Sequence, residues 1–219
     1  MQTYLPVLQN CSLFSGVAPS DLQALLACLG ARKIEVSRQS PILREGDPAE
    51  YVGILLRGSA MILREDFYGN RSIMSHVEPG DLFGESYAFA ETKTFPVSIV
   101  ADEDCDILFI DGHRITNSCS NACDFHNRMV YNMLRIVAQK NLACYQRMQI
   151  TAQRTTREKL MMYLTMQAKL AGSNTFIIPY DRQELADYLD VDRSGLSAEI
   201  SRLRREGVIE CEKNRFKIL

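Results

Sequence analysis

The apolar positions change period along the chain. Between Ile34 and Ile110 they fall in short runs: Ile34/Val36, Ile42/Leu43, Val52–Leu56, Met61–Leu63, Ile73–Val77, Leu82/Phe83, Val97–Val100 and Ile107–Ile110. Turn formers separate them at Gly46-Asp47-Pro48, Arg57-Gly58, Tyr68-Gly69-Asn70 and Pro79-Gly80-Asp81. Such runs predict short β-strands. Many short strands with regular turns predict a barrel or sandwich. Ahead of them, Pro19-Ser20-Asp21 precedes Leu22, Leu25, Leu26 and Leu29, the spacing of a short amphipathic helix ending at Gly30. Behind them, residues 120–150 contain no Gly or Pro and predict one long helix. Phe125, Met129, Asn132/Met133, Ile136, Gln139/Lys140 and Ala143 repeat there at three- and four-residue steps. That seam suits pairing with a second copy; a helix packed on its own domain would show a stripe too.

Residues 151–219 change period again. KLMMYLTMQAKLA, Lys159 to Ala171, reads as an amphipathic helix closed by Gly172-Ser173-Asn174, and Thr175 to Pro179 as a short strand. Leu185, Ala186 and Leu189 give the next helix its apolar stripe; Asp190-Val191-Asp192 interrupts it. Asp192 can cap a second helix with Leu196, Ile200 and Leu203 inward. Its outer face carries Arg193, Ser194, Ser197, Arg204 and Arg205, groups suited to base edges and phosphates. Two short helices so spaced make a helix-turn-helix. Val208–Cys211 and Phe216–Ile218 then predict a hairpin, or wing.

The order RQELADYL–V–DRSGLSAEISRLRREGVI resembles the DNA-binding helices of the cyclic-AMP receptor/fumarate-nitrate regulator (Crp/Fnr) family almost position for position. The wording LREGDPAEYVGILLRGSAMILRE…GNRSIMSHVEPGDLFGES resembles the same family's cyclic-nucleotide-binding β-roll, with Gly46, Gly58, Gly80 and Gly84 where that fold turns. The resemblance covers most of residues 5–110 and the C-terminal part. It implies an α+β protein: an N-terminal double-stranded, jelly-roll-like β-roll over residues 1–115 that senses an effector, a long dimerisation helix over 116–150, and a C-terminal winged helix over 151–219 that binds DNA. The residues expected at DNA are Arg182, Gln183, Asp192, Arg193, Ser194, Ser197 and Arg202. Relatives carry a second arginine further along the recognition helix; here Ala198 stands there, followed by Glu199.

In cyclic-AMP-binding relatives a Gly-Glu pair holds the ribose and an Arg-Ser pair the cyclic phosphate. Phe83-Gly84-Glu85-Ser86 matches the first, but Phe95-Pro96 stands in place of the second, with Lys93 the nearest cation. A buried phosphate needs a charge-assisted donor, and proline lacks even a backbone N–H. The expected effector is therefore a small molecule other than cyclic AMP, in a pocket of Phe83, Gly84, Glu85, Ser86, Phe95, Val97, Tyr131 and Arg135. Glu85 can equally be a structural carboxylate. The alternative is a thiol or metal switch: Cys119, Cys123 and His126 share one face of a helix, and thiolate with imidazole suits soft metals. The four-cysteine pattern of the iron–sulfur relatives is absent, since only Cys11 and Cys28 lie near the N-terminus. Neither His76 nor His113 matches a haem-binding position.

Totals refine this picture little. The 219 residues carry 25 Lys+Arg against 27 Asp+Glu, but residues 150–219 hold 12 against 10, so the helix-turn-helix part is the positive one. Seven scattered cysteines fit a reducing cytoplasm. No secretory signal pattern opens the chain and no apolar run suits a membrane span. Gly-x-Ser-x-Gly, Walker and His-Glu-x-x-His motifs are absent, so no enzyme is expected. The expected partners are a second copy, double-stranded DNA with a palindromic operator, a small effector of unknown identity and, further, RNA polymerase. No membrane, cofactor or metal is expected.

Overall fold

The computed structural model describes residues 2–65, 71–116 and 124–219. It forms two compact units, Met1–Ala138 and Gln139–Leu219, each with its own core. The division falls inside the longest helix, Asp124–Thr151.

The first unit opens with helices α1 (Leu5–Asn10) and α2 (Pro19–Cys28). Strands follow: β1 (Arg32–Val36), β2 (Pro41–Leu43), β3 (Tyr51–Arg57), β4 (Ala60–Glu65), β5 (Arg71–Val77) and β6 (Leu82–Phe83). Helix α3 (Glu85–Phe89) precedes β7 (Ser98–Ala101), β8 (Cys105–Asp111) and α4 (Gly112–Thr116); α5 (Asp124–Thr151) begins here. Each apolar run between Ile34 and Ile110 is a strand. They make two antiparallel sheets, β1-β8-β3-β6 and β2-β7-β4-β5. This is the jelly-roll-like β-roll.

The apolar content of β3 and β8 has a physical reason: both strands are buried on two faces. Leu55 and Ile107 face the core between the sheets, with Phe83, Ile99 and Ala101. Val52, Ile54, Leu56, Leu108 and Ile110 face the other way, against α1, α2 and the first half of α5. Gly53 is required in β3, since a Cβ there would fall 2.1 Å from the Phe83 ring.

The long helix corrects the seam expected from sequence. Met129, Met133 and Ile136 are buried in the core of their own unit, and Phe125 packs against it. Asn132, also buried, donates to the carbonyls of Leu13 and Ser15, each at 2.9 Å. The stripe is used within the chain because α1, α2 and the intervening turn offer it a matching apolar face. Gln139, Lys140 and Ala143 are exposed. On the opposite side of α5, Tyr131, Leu134, Leu142, Tyr145 and Met148 are 58–67% exposed. Among the described residues no helix is long and apolar enough to cross a membrane.

The second unit takes the end of α5, then α6 (Thr156–Ala171), β9 (Thr175–Ile177), α7 (Arg182–Leu189), α8 (Arg193–Arg205), β10 (Ile209–Glu212) and β11 (Arg215–Ile218). Thr155 and Glu158 form a capping box that starts α6 three residues earlier than Lys159, and Gly172 ends it at φ 60°. The hairpin and β9 form one sheet, β10-β11-β9, with Phe216 opposite Phe176. Leu160, Tyr163, Leu164, Leu185, Leu189, Leu196, Ile200 and Leu203 close the core beneath it. This is a winged helix.

One buried charge fastens the start of the chain to the β-roll. Asp106, 2% exposed, accepts from the Tyr4 hydroxyl at 2.8 Å and Arg57 Nε at 2.6 Å, and Lys33 Nζ lies 3.1 Å from its other oxygen. Burial alone would raise this carboxyl, but the bonds from Arg57, Tyr4 and Lys33 outweigh it and bring it from 3.8 to about 2. A depressed folded pKa means that the contribution is complete above the unfolded value and fades as pH falls toward the folded one. Thermal melting of wild type should therefore show a loss between about pH 4 and about pH 2 that Asp106→Asn lacks, the variant being less stable at neutral pH. Equal acid losses in both proteins would show that the clamp is not ionic.

Candidate nucleic-acid interface

The helix-turn-helix is set by capping. Asp181 accepts from Glu184 N at 2.9 Å while Glu184 accepts from Asp181 N at 2.7 Å, a capping box at the start of α7. Asp190 ends α7 in the left-handed region, φ 54°, which aspartate tolerates better than most residues. The C-terminal carbonyls of α7 meet cations from two other helices. Arg147 of α5 donates to Asp187 O at 3.0 Å and Tyr188 O at 3.2 Å, and its guanidinium lies 5.4 Å from the Tyr188 ring centre. Lys159 of α6 donates to Asp190 O at 2.9 Å. Cations there satisfy orphan carbonyls and oppose the negative end of the helix dipole.

Asp192 is the N-cap of α8. It accepts from Gly195 N at 2.9 Å and from the Ser194 hydroxyl, and these two bonds, Ser194 first, hold its carboxyl below the usual range. With Leu196, Ile200 and Leu203 in the core, α8 turns Arg193, Ser194, Ala198 and Ser201 outward and leaves Ser197 half-buried. The Arg193 side chain has no hydrogen-bond or ion-pair partner among the described residues. Arg202 does: its Nε lies 3.0 Å from Glu206, which Arg157 of α6 also reaches at 2.7 Å. The Arg157 bond, mainly, lowers the Glu206 carboxyl. Arg157 also lies 3.6 Å from Glu199. Gln183 donates to Asp187 at 2.9 Å on its own helix. Arg182 reaches the wing, 3.3 Å from Lys213 O and 3.5 Å from Cys211 Sγ, with its guanidinium 5.8 Å from the Phe216 ring centre.

Of the residues expected at DNA, Arg193, Ser194 and Ser197 therefore share the outer start of α8, while Gln183, Asp192 and Arg202 have partners inside the unit. Arg147, Lys159 and Arg157 were not singled out from sequence. Each acts on a residue distant in the chain, and no local pattern marks such a pairing. A trough of about 950 Å³ also lies between α8 and the wing, lined among others by Ser201, Arg204, Arg205, Arg215 and Lys217.

In the β-roll, Phe83, Glu85, Phe95 and Val97 are buried, and Gly84 meets Phe95. A Cβ on Gly84 would lie 3.2 Å from the buried Phe95 ring, which stands edge-on to Tyr87 at 5.6 Å. Phe83 stands edge-on to Phe109 at 5.9 Å. Glu85 is buried and accepts from the Ser86 hydroxyl at 3.2 Å, so its side chain also serves the turn. Tyr131 and Arg135 are exposed on α5 and share no hydrogen bond or ring contact with this group. Cys119 and Cys123 lie outside the described residues; His126 is buried on α5. Burial pushes the Cys11 thiol up to about 11 and raises Cys105 as well. Among the described residues no three His, Cys, Asp or Glu side chains cluster as metal ligands.

Comparison with known proteins gives two family matches: a cyclic nucleotide-binding domain over residues 33–121 and a Crp-like helix-turn-helix domain over 158–219. The transcriptional activator protein FnrL of Cereibacter sphaeroides is 25% identical over 193 residues, 81% of this chain and 72% of that protein. The cAMP-activated global transcriptional regulator CRP of Pasteurella multocida is 32% identical over 72 residues, 33% of this chain and 34% of that protein. The c-di-GMP responsive global regulator CLP of Xanthomonas campestris has a similar fold, with a TM-score of 0.61 at 17% identity over 92% of this chain and 99% of the solved one.

The two roles open to Asp192 separate on substitution. As a cap, Asp192→Ala should lower the melting temperature, and Asp192→Ser should restore most of it. DNA affinity at temperatures where both variants are folded should barely change. A large loss of affinity in folded Asp192→Ser would instead make the carboxylate a direct DNA contact.

Proposed function

The chain belongs to the Crp/Fnr family of DNA-binding transcription regulators, and we propose that it acts as a homodimer on a palindromic operator, controlled by a small effector other than cyclic AMP. One observation carries the DNA reading. A capped helix, fixed by its apolar side, presents Arg193, Ser194 and Ser197 together, and the Arg193 guanidinium has no partner among the described residues. A free guanidinium at the start of a recognition helix suits bidentate recognition of guanine. Ala198, where relatives carry a second arginine, can at most touch a thymine methyl, so the half-site differs from the one those relatives read. Arg182 is assigned to a backbone phosphate, with its remaining donors, while it braces the wing. Gln183 and Arg202 are assigned to the same periphery, and Asp192 to holding the helix start.

The exposed side of α5 supports the dimer. Tyr131, Leu134, Ala138, Asn141, Tyr145 and Met148 fall at alternating three- and four-residue steps, the a and d positions of a heptad. Large apolar side chains left in water along one line mark an association surface. A twofold dimer would present its recognition helices about 34–36 Å apart, one turn of DNA. Residues 1–115 would then be the sensing domain, 116–150 the dimerisation helix and 151–219 the DNA-binding domain, working in the cytoplasm with RNA polymerase as a further partner.

The aromatic packing supports the effector reading. Phe95, at a position where relatives hold the cyclic phosphate, is buried against Gly84 and Tyr87 and brings no donor. An effector here should be apolar or aromatic, with Phe83, Gly84, Glu85, Ser86, Phe95 and Val97 as its surroundings.

Selection from a random duplex library should return a palindrome with half-sites about one helical turn apart. Arg193→Ala should lose base preference at one position per half-site, a discrimination of about 1–3 kcal/mol, while Arg182→Ala should weaken all sequences alike. An unchanged motif with Arg193→Ala and an altered one with Arg182→Ala would reverse these roles. Calorimetry should detect no low-micromolar binding of cyclic AMP or cyclic GMP; such binding would end the effector reading.

A further inference from the structure

We infer that Arg157 determines base preference without touching the bases: through Glu199 and Glu206 it fixes the rotation of α8 about its own axis, and with it the angle at which Arg193 and Ser197 meet the operator. The inference rests on the DNA-binding reading above. It starts from a conflict in the sequence. Arg157 is the second residue of α6. The start of a helix is the positive end of its dipole and disfavours a cation. Thr155 and Glu158 already satisfy that end as a capping box. Helix α6 therefore gives the guanidinium no reason to be there, and its partners lie on another helix.

Those partners are two carboxylates. Arg157 Nη2 lies 2.7 Å from Glu206 and Nη1 3.6 Å from Glu199. One rigid fork thus holds α8 at two points seven positions apart, about 10 Å of helical rise. Glu199 Oε1 is buried and accepts no hydrogen bond among the described residues, so the Arg157 charge compensates it. Glu206 is shared with Arg202, at 3.0 Å. Glu199, Arg202 and Glu206 stand at steps of three and four and line one flank of α8. Arg193 and Ser197, four apart, line the flank on the other side of the apolar stripe of Leu196, Ile200 and Leu203.

The stripe and the fork do different work. Three apolar side chains on a narrow arc set how deeply α8 sits, but contacts of this kind have no direction. The ion pairs of a planar fork have one. A helix with its side chains has a radius of about 5–6 Å, so a roll of about 10° moves the end of a side chain by about 1 Å. Hydrogen bonds to a base edge tolerate only about 0.5 Å. Tethered on one flank, α8 presents the other at a single angle. Untethered, Arg193 meets base edges over a range of angles, and its contact discriminates less. The ion pairs are partly exposed, so they add little to folding stability, and their effect falls on recognition.

The test uses the full chain, the operator selected from the library, and the same operator with its most strongly preferred base pair replaced in one half-site. The quantity read is the ratio of the two affinities. A change in overall charge alters both affinities alike and cancels in the ratio. For wild type the ratio should be roughly 5 to 150, the range of one bidentate contact. Arg157→Ala should lower it by about threefold or more, and Glu199→Ala with Glu206→Ala should lower it equally. Adding Arg157→Ala to the glutamate pair should change it no further, because the three residues act as one unit. Arg157→Lys, which keeps the charge without the fork, should fall between wild type and Arg157→Ala. Circular dichroism sets a temperature at which each variant is folded, and the glutamate pair carries the same prediction should Arg157→Ala not fold. An unchanged ratio in the Arg157 and glutamate variants would overturn the inference while the DNA reading stands. A loss with Arg157→Ala that reaches both duplexes alike, and recurs in full without the glutamates, would also overturn it and make Arg157 a phosphate contact. Failure of wild type to bind any selected duplex would remove the DNA reading and this inference together.

Discussion

The structure depends on a helix with two apolar faces. One face of α5, carrying Met129, Met133 and Ile136, completes the core of the first unit against α1, α2 and the outer surfaces of β3 and β8. Burial of that face fixes the rotation of the helix about its axis, and with it the direction in which Tyr131 and Leu134 point. Asn132 adds a directional constraint, because its amide can satisfy the Leu13 and Ser15 carbonyls in one rotation only. The second face is exposed and is covered by nothing among the described residues. Large apolar groups held rigidly in solvent favour association, since covering them releases their hydration water without a further ordering cost in the backbone.

In the second unit the governing constraint is polar. The helix-turn-helix is small, and most of its charged groups are consumed in holding it. Asp181 and Asp192 start its helices, Arg147 and Lys159 close α7, and Arg157 spans Glu199 on α8 and Glu206 at its C-cap. Among the described residues, the arginines of α8 and the wing without a hydrogen-bond or ion-pair partner are Arg193 at one end of α8 and Arg204, Arg205 and Arg215 around the other. This sorting is more informative than net charge, because a guanidinium tied to a carboxylate has little left to offer a phosphate.

Much of this was legible in the sequence because it is local. Alternation and turn residues located the strands from β1 to β8, and the spacing of Leu185, Leu189, Leu196, Ile200 and Leu203 located both helices of the DNA-binding motif. Asp192 was readable as a cap from its place before the apolar run. The partner of a face was not readable. Both Met129/Ile136 and Tyr131/Leu134 repeat at helical spacing, and periodicity shows which residues share a side without showing what covers them. Much of the covering surface comes from residues 5–29, about a hundred positions away or more. The same limit hid Arg147, Arg157 and Lys159, whose partners are distant in the chain. It also hid the use of Arg182 in bracing the wing, because the hairpin folds back onto α7 only in three dimensions. In the β-roll, the edge-on packing of Phe95 on Tyr87 was likewise not readable.

The central claim is that one face of α5 belongs to the chain and the other to a second copy. Sedimentation equilibrium of wild type and Leu134→Asp, with circular dichroism to confirm folding, tests it most directly. The account predicts a dimer for wild type and a folded monomer for Leu134→Asp, because a buried carboxylate facing its own copy opposes association. A Leu134→Asp protein that remains fully dimeric would contradict it.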